Sequence, residues 1–348
     1  VEVGVVGCGY WGSKHLRVLQ SVHGVDGVVA IDSSEERLRA VAEAFPTVPL
    51  VRELDDVIDR LDGLVIATPP LSHVPLAMRA IEAGCPALVE KPLATTACEA
   101  RRLAALADVR NVPLMVGHTF EHNAAVWKLR ELVQNDDLGP VYYADAARLN
   151  LGLYQSDVNV IWDLAPHDVS IFNFVLGASP SWVEAWATRN AHPLLEDVAY
   201  LRLYYPGPNI TANIHVSWLD PCKVRRVTLV GSQQMAVYND LATEPLRIFD
   251  KGVEMPVSDE DLSGLPMSYR YGDIRSPYVA AEEPLAVQDR RFVDVAIRRA
   301  TEQTNVRNGV AVVEVLESAE RAVRMGRRVE IAEVRSDDDV AISVGENA

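Results

Sequence analysis

From residue 1 to about residue 120 the chain alternates short apolar runs with stretches in which apolar residues recur every three or four positions. Segments 1–6, 27–31, 63–67, 87–90 and 113–116 read as strands, and 12–21, 34–45, 73–83 and 97–109 as helices. Strands that are apolar throughout are covered on both faces, and an intervening helix returns each one parallel to its predecessor. The pattern predicts a doubly wound α/β domain over residues 1–119.

Beyond residue 120 the period changes. One helix, 123–134, precedes strand-like runs at 141–149, 182–188, 199–205, 210–218, 224–230 and 235–238. Turn signals such as Pro206-Gly207-Pro208-Asn209 and Gly231-Ser232 separate several of them. Consecutive strands without helices between them predict a large, open, mainly antiparallel sheet, with a helix over 166–176 packed on it. Segment 251–283 is rich in Pro, Gly and Asp and reads as a long loop, and helices 285–300 and 310–324 follow. Residues 120–348 are thus expected to form an α+β substrate and oligomerisation domain. A sheet with one uncovered face needs a second copy of the chain, as homodimer or homotetramer, and Trp182, Trp186 and Trp218 are candidates for that face or, equally, for core packing.

Composition narrows the class. A net charge of −16 with no basic stripe excludes nucleic acid and anionic membrane as partners. No apolar run approaches the ~20 residues of a membrane span, and no signal peptide pattern precedes the first strand. The chain opens inside that strand without Met, so a few preceding residues are expected. Cys8, Cys85, Cys98 and Cys222 lack metal-site spacing and read as reduced thiols of a cytoplasmic protein that holds no metal.

Gly7-Cys8-Gly9-Tyr10-Trp11-Gly12 matches G-x-G-x-x-G between a strand and a helix. Gly7 permits the tight turn, Gly9 lets a pyrophosphate approach the backbone, and Gly12 allows close helix–strand packing. Asp32, 20 residues after Gly12, is placed to accept ribose hydroxyls and to repel a 2′-phosphate, which favours NAD over NADP despite nearby Arg37. Thr68 and Pro69 follow the strand 63–67 at a carboxyl edge, where Thr68 could reach the nicotinamide half; His73 reads equally as a helix-start packing residue or a cofactor contact. Glu90-Lys91-Pro92 ends another strand at the same edge. A lysine there suits a developing alkoxide, and a cis Lys91–Pro92 bond would turn it inward; a surface lysine before a helix-starting proline is the plain alternative. Asp163 and His167 are four apart across a helix start primed by Pro166, so their side chains share a face. Histidine suits a general base; an Asp cap followed by a helix-face His is the plain alternative.

Glu90-Lys91-Pro92 followed by Asp163-x-x-x-His167, after a Rossmann fingerprint, resembles the glucose–fructose oxidoreductase/inositol dehydrogenase (Gfo/Idh/MocA) family over essentially the whole chain. The resemblance implies hydride transfer between a sugar hydroxyl and NAD, with Lys91, Asp163 and His167 as the catalytic trio: His167 as acid/base, Lys91 at the reacting oxygen, Asp163 positioning the substrate. The cofactor set is then Gly7, Gly9, Tyr10, Trp11, Gly12, Asp32, Thr68, Pro69, His73, Glu90 and Lys91. Arg148-Leu149-Asn150-Leu151-Gly152, Trp218-Leu219-Asp220-Pro221-Cys222-Lys223-Val224-Arg225 and Glu283-Pro284-Leu285 resemble the branch acting on UDP-N-acetylglucosamine or its uronate at C3. Arg148, Lys223 and Arg225 are candidate diphosphate contacts, and Asn150 and Tyr154 candidate sugar contacts. Val116-Gly117-His118-Thr119-Phe120 departs from a common family form, so His118 and Glu121 shape the substrate pocket differently. Competing readings are a cyclitol or free-sugar dehydrogenase, a keto-sugar reductase, an NAD-sensing regulator and an NAD-dependent glycoside hydrolase.

Overall fold

The computed structural model describes residues 1–152, 158–254, 268–301 and 304–336. In chain order it contains β1 (Glu2–Val6), α1 (Tyr10–Leu19), β2 (Gly27–Ile31), α2 (Glu35–Ala44), β3 (Leu50–Val51), β4 (Gly63–Ile66), α3 (His73–Glu82), β5 (Ala87–Glu90), α4 (Ala97–Arg110) and β6 (Leu114–Gly117). Then come α5 (Ala124–Gln134), β7 (Val141–Leu151), α6 (Val160–Leu176), β8 (Trp182–Thr188), β9 (Val198–Tyr205), β10 (Ile210–Ser217), β11 (Leu219–Gly231), β12 (Met235–Asn239), β13 (Leu246–Glu254) and β14 (Ser268–Arg275). Helices α7 (Pro284–Arg298) and α8 (Val306–Met325) and the short β15 (Val329–Glu330) follow.

The chain forms two compact units. The first joins Val1–Asn123 to Glu282–Glu317 and to the described residues from Ala332 on. Its six strands are parallel in the order β3-β2-β1-β4-β5-β6, the strand order of the Rossmann fold. The expected division into 1–119 and 120–348 differs from this at the C-terminal side. Helix α7 belongs with the Rossmann sheet because its apolar face, Phe292, Val293 and Val295, packs into the same core as Val3, Val5, Leu16, Leu19 and Leu88. Gly63 on β4 supplies the room: a Cβ there would lie 3.1 Å from the Phe292 ring. At the free edge of the sheet, Asn305 stands in for a seventh strand. Its side-chain carbonyl accepts the Val116 N–H at 2.8 Å and its amide donates to the Val116 carbonyl at 3.0 Å, so the edge groups of Val116 are paired.

The second unit comprises Ala124–Ala281 and Ser318–Ile331. Its sheet runs β14-β13-β12-β11-β7-β10-β9-β8-β15, antiparallel at every pair except β7–β10. Alternation is strict where one face is covered: Ile210, Ala212, Ile214 and Val216 are buried on β10, while Thr211, Asn213 and His215 point the other way. That other face carries a band of rings. Tyr200 stacks on His215 with centroids 4.0 Å apart, and Trp182 stacks on Tyr204 at 5.4 Å. Trp186 also lies there, exposed beside Tyr200.

Two expectations change, and one open alternative is decided. Parts of segment 251–283, read as loop, lie in the antiparallel strand pair β13 and β14. Strand β14 is exposed on both faces, apart from half-buried Arg270, so no hydrophobic alternation marks it in the sequence. Helix α6 starts at Val160, six residues before Pro166, because Asn159 caps it by accepting the N–H groups of Ile161 and Trp162. For Trp218 the core-packing alternative holds: it is buried.

Arg148 on β7 forms a two-pronged pair with Asp168 on α6, Nε–Oδ2 3.0 Å and Nη2–Oδ1 2.9 Å, both side chains buried. It is therefore removed from the candidate diphosphate contacts: its guanidinium already faces a carboxylate inside the unit. Arg148→Met leaves the Asp168 charge uncompensated and is expected to cost about 3–5 kcal/mol in urea unfolding, whereas Arg148→Met with Asp168→Leu is expected to be close to neutral. Equal losses in the two variants would mean that the pair is not the source of the cost.

Candidate active site

Three features of the first unit fit a dinucleotide. Gly7 adopts φ +91°, and a Cβ on Gly12 would lie 1.8 Å from the Gly7 carbonyl oxygen, so both glycines are required by the turn itself. Gly9 is different. A Cβ there would meet only Arg37 Nη1, at 3.7 Å, so the space beside it is open to an approaching pyrophosphate. Gly9 caps α1, whose first-turn N–H groups have no side-chain cap and no acidic neighbour in that turn, leaving a favourable end for an anion. Asp32 at the end of β2 accepts the N–H of Cys8 at 2.8 Å and of Ser34 at 2.8 Å. Its orientation is therefore set before any ribose arrives, and Arg37 stands 3.7 Å from it. Tyr10 and Trp11 are exposed on the first turn of α1, edge to face at 5.5 Å.

The next carboxyl edges hold Thr68 and Lys91. His73 is buried between them: Nε2 lies 2.8 Å from the Thr68 carbonyl and Nδ1 2.8 Å from the Pro92 carbonyl. A neutral ring donates to one of these carbonyls and rests against the other, so of the two readings open in the sequence the structure fits the packing one. Burial lowers its pKa. Pro69 is exposed. The Lys91–Pro92 bond is cis, and Lys91 is half-buried. Glu90, expected among the cofactor contacts, is instead buried against His15, Oε1–Nε2 3.1 Å. The other His15 nitrogen faces both oxygens of Asp289, at 2.9 and 3.0 Å. Burial opposes a charge on His15, but Asp289 and then Glu90 outweigh it, and its pKa rises to about 10. His15 and Asp289 were not legible as partners, because 274 residues separate them.

His118 follows β6 and is buried, and among the described residues neither ring nitrogen has a hydrogen-bond partner. Burial, and after it the Lys91 and His122 charges, push its pKa down to about 3, so it is a neutral imidazole. Glu121 is buried and held by Asn305 at 3.0 Å and by Asn308 at 2.5 Å.

In the second unit Asp163 and His167 lie one turn apart on α6, both half-buried. Asp163 Oδ2 accepts the indole N–H of Trp218 at 3.0 Å. Gly152 makes that possible: its N–H donates to the Trp218 carbonyl at 3.0 Å, and a Cβ on it would stand 2.6 Å from the indole ring. The two sequence stretches around Arg148–Gly152 and Trp218–Arg225 therefore meet at the positioning of Asp163. Arg225 is paired with Asp240 at 3.1 Å, Lys223 is exposed, and Asn150 is half-buried on β7. Tyr154 lies outside the described residues. Among the described residues no group of His, Cys, Asp and Glu side chains could hold a metal ion, and no helix is long and apolar enough to cross a membrane.

A Rossmann sheet with this glycine turn and an oriented acid at the end of β2 defines a dinucleotide-binding oxidoreductase. Residues 1–118 match the oxidoreductase family with an NAD-binding Rossmann fold, and residues 126–237 match the Gfo/Idh/MocA C-terminal domain. The chain belongs to the Gfo/Idh/MocA family of oxidoreductases, and its cofactor is NAD. D-apiose dehydrogenase of Paraburkholderia graminis is 24% identical over 99% of this chain and 93% of that protein. UDP-N-acetylglucosamine 3-dehydrogenase of Acidithiobacillus ferrooxidans is 31% identical over 53% of this chain and 57% of its own length. The solved structure of GenD2 from gentamicin A biosynthesis, in complex with NAD, superposes with a TM-score of 0.78 at 26% identity, covering 95% of this chain and 96% of that one.

Proposed function

We propose that the chain oxidises a secondary hydroxyl of a sugar, C3 of a nucleotide-linked sugar such as UDP-N-acetylglucosamine or its uronate, and that Lys91, Asp163 and His167 perform the reaction. The observation that carries this reading is the Asp163–His167 pair, one helical turn apart, with Asp163 held by the Trp218 indole. Bound NAD supplies the hydride acceptor at its nicotinamide. His167 takes the hydroxyl proton as general base and returns it in the reverse direction. Lys91 donates to the same oxygen as negative charge develops there. Asp163, with one oxygen committed to Trp218, accepts a substrate hydroxyl on the other. His118, neutral and unpartnered, donates to the substrate beside Lys91. Asn150 and Tyr154 contact sugar hydroxyls. With Arg148 committed to Asp168, exposed Lys223 is the first remaining candidate for a diphosphate, and Arg225, less buried than Arg148, would have to share its charge with Asp240. That same commitment favours a second reading, an uncharged sugar or cyclitol, which needs no such cations. The ring-bearing sheet face is proposed to be covered by a second copy of the chain; light scattering that returns the mass of one chain removes this part.

The test is NADH formation with UDP-N-acetylglucosamine, its uronate, D-apiose and myo-inositol in parallel. Turnover with the UDP-sugars is expected; turnover with D-apiose or myo-inositol alone selects the second reading. Bond cleavage without net NADH, or NAD binding without turnover of any of the four, overturns the dehydrogenase reading.

A further inference from the structure

The Rossmann unit buries a row of charges whose described partners are one another. His15, on α1, is wholly buried, with Asp289 of α7 on one ring nitrogen and Glu90 of β5 on the other. The second Glu90 oxygen accepts the backbone N–H of Lys91 at 3.2 Å. Each carboxylate oxygen of Glu90 therefore has a separate directional partner. The neighbouring strand is shaped around this carboxylate: Gly117 pairs with Glu90 across β5–β6, and a Cβ there would lie 3.0 Å from its carboxyl carbon.

Burying three ionisable groups is costly, and apolar packing of equal volume would serve stability as well or better. What the charged arrangement adds is direction. We propose that Asp289, His15 and Glu90 form a positioning relay that fixes the backbone of Lys91 and so aims its amine. His15 and Asp289 act through Glu90 and are positioning residues, not catalytic ones. The inference rests on Lys91 being the group at the reacting oxygen.

Two variants interrupt the relay at different points. Asp289→Asn removes the charge that holds His15; Glu90→Gln keeps the His15–Asp289 pair and removes the carboxylate that holds Lys91. The first readout is hydrogen exchange of the intact protein. The peptide carrying the Lys91 N–H is expected to exchange about tenfold faster in either variant, with helix α4 unchanged. The second is the single-turnover rate of NAD reduction with whichever of the four compounds above turns over. Each variant is expected to lower it about tenfold with the NAD dissociation constant unchanged, and to add no further loss in a Lys91→Ala background. Acceleration of exchange across the whole unit, losses that add to that of Lys91→Ala, or wild-type rates in both variants would overturn the relay. A Lys91→Ala protein that keeps its turnover removes the catalytic reading instead, so the two failures are distinguishable. If Asp289→Asn does not fold, Glu90→Gln alone decides by the same two readouts; if both lose NAD binding with the fold, the row is structural and the proposal fails.

Discussion

Lys91→Ala and His167→Ala are each expected to lower kcat by about 10³-fold while leaving the NAD dissociation constant within about threefold of wild type. The two losses have different chemical causes. Without Lys91 no cation meets the oxygen as it gains charge. Without His167 the hydroxyl proton has no acceptor other than water, at neutral pH a far weaker base. Neither side chain is part of the glycine turn, the open space beside Gly9 or the Asp32 carboxylate, which would hold the diphosphate and adenosine ribose; Lys91 stands with the nicotinamide end of the cofactor set. NAD affinity, read from quenching of tryptophan fluorescence, should therefore persist when NADH formation disappears. Near-wild-type kcat in both variants would falsify the catalytic assignment. Weakened NAD binding in proportion to lost rate would instead make them cofactor ligands.

The second large effect is on stability and its pH dependence. His15 has its pKa raised to about 10 in the folded protein, against 6.5 as the ordinary value. Converted directly, the shift sets a ceiling of roughly 5 kcal/mol, and burial of Asp289, which raises the pKa of that carboxyl, subtracts from it. Because the folded value is the higher one, the folded state holds the proton more tightly than the unfolded chain. The stabilisation is complete below pH 6.5, declines as the unfolded chain gives up its proton, and is gone once pH passes the folded value near 10. Urea unfolding at a series of pH values between 6 and 10.5 is expected to show this decline in the wild type. A His15→Gln variant, which has nothing to titrate at that position, should show a much flatter dependence. Parallel curves for the two proteins would mean that His15 is not held as an imidazolium.

The same residue shows why parts of the site were legible and others not. Gly7, Gly9, Gly12 and Asp32 announce themselves because their work is local. A turn, a helix start and a strand end lie within a few residues or one βαβ unit, and the conformations they need are intrinsic to glycine or to the fold's register. Asp163 and His167 share a face through helix geometry alone, even though α6 begins earlier than Pro166 suggested. A cofactor contact is one of two readings the sequence leaves open for His73, and the family resemblance suggests ligand roles for Glu90 and Arg148. Each proves to be already engaged: His73 with two carbonyls, Glu90 with His15, Arg148 with Asp168. Such engagement depends on partners brought from distant parts of the chain, which no local pattern records.

By itself the sequence determined the parallel and antiparallel characters of the two sheets, the dinucleotide turn and the helical pairing of Asp163 with His167. All of these follow from hydrophobic period and from the backbone freedom of particular residues. Only the tertiary structure decided that α7 returns to the Rossmann sheet, that Asp289 reaches His15, and that Asn305 closes the edge at Val116. It also decided that Gly152 admits the Trp218 indole against Asp163. The physical reason is common to them. A buried polar group must find a partner of suitable charge and direction, and which group lies within reach is settled by how the elements pack, not by their order along the chain.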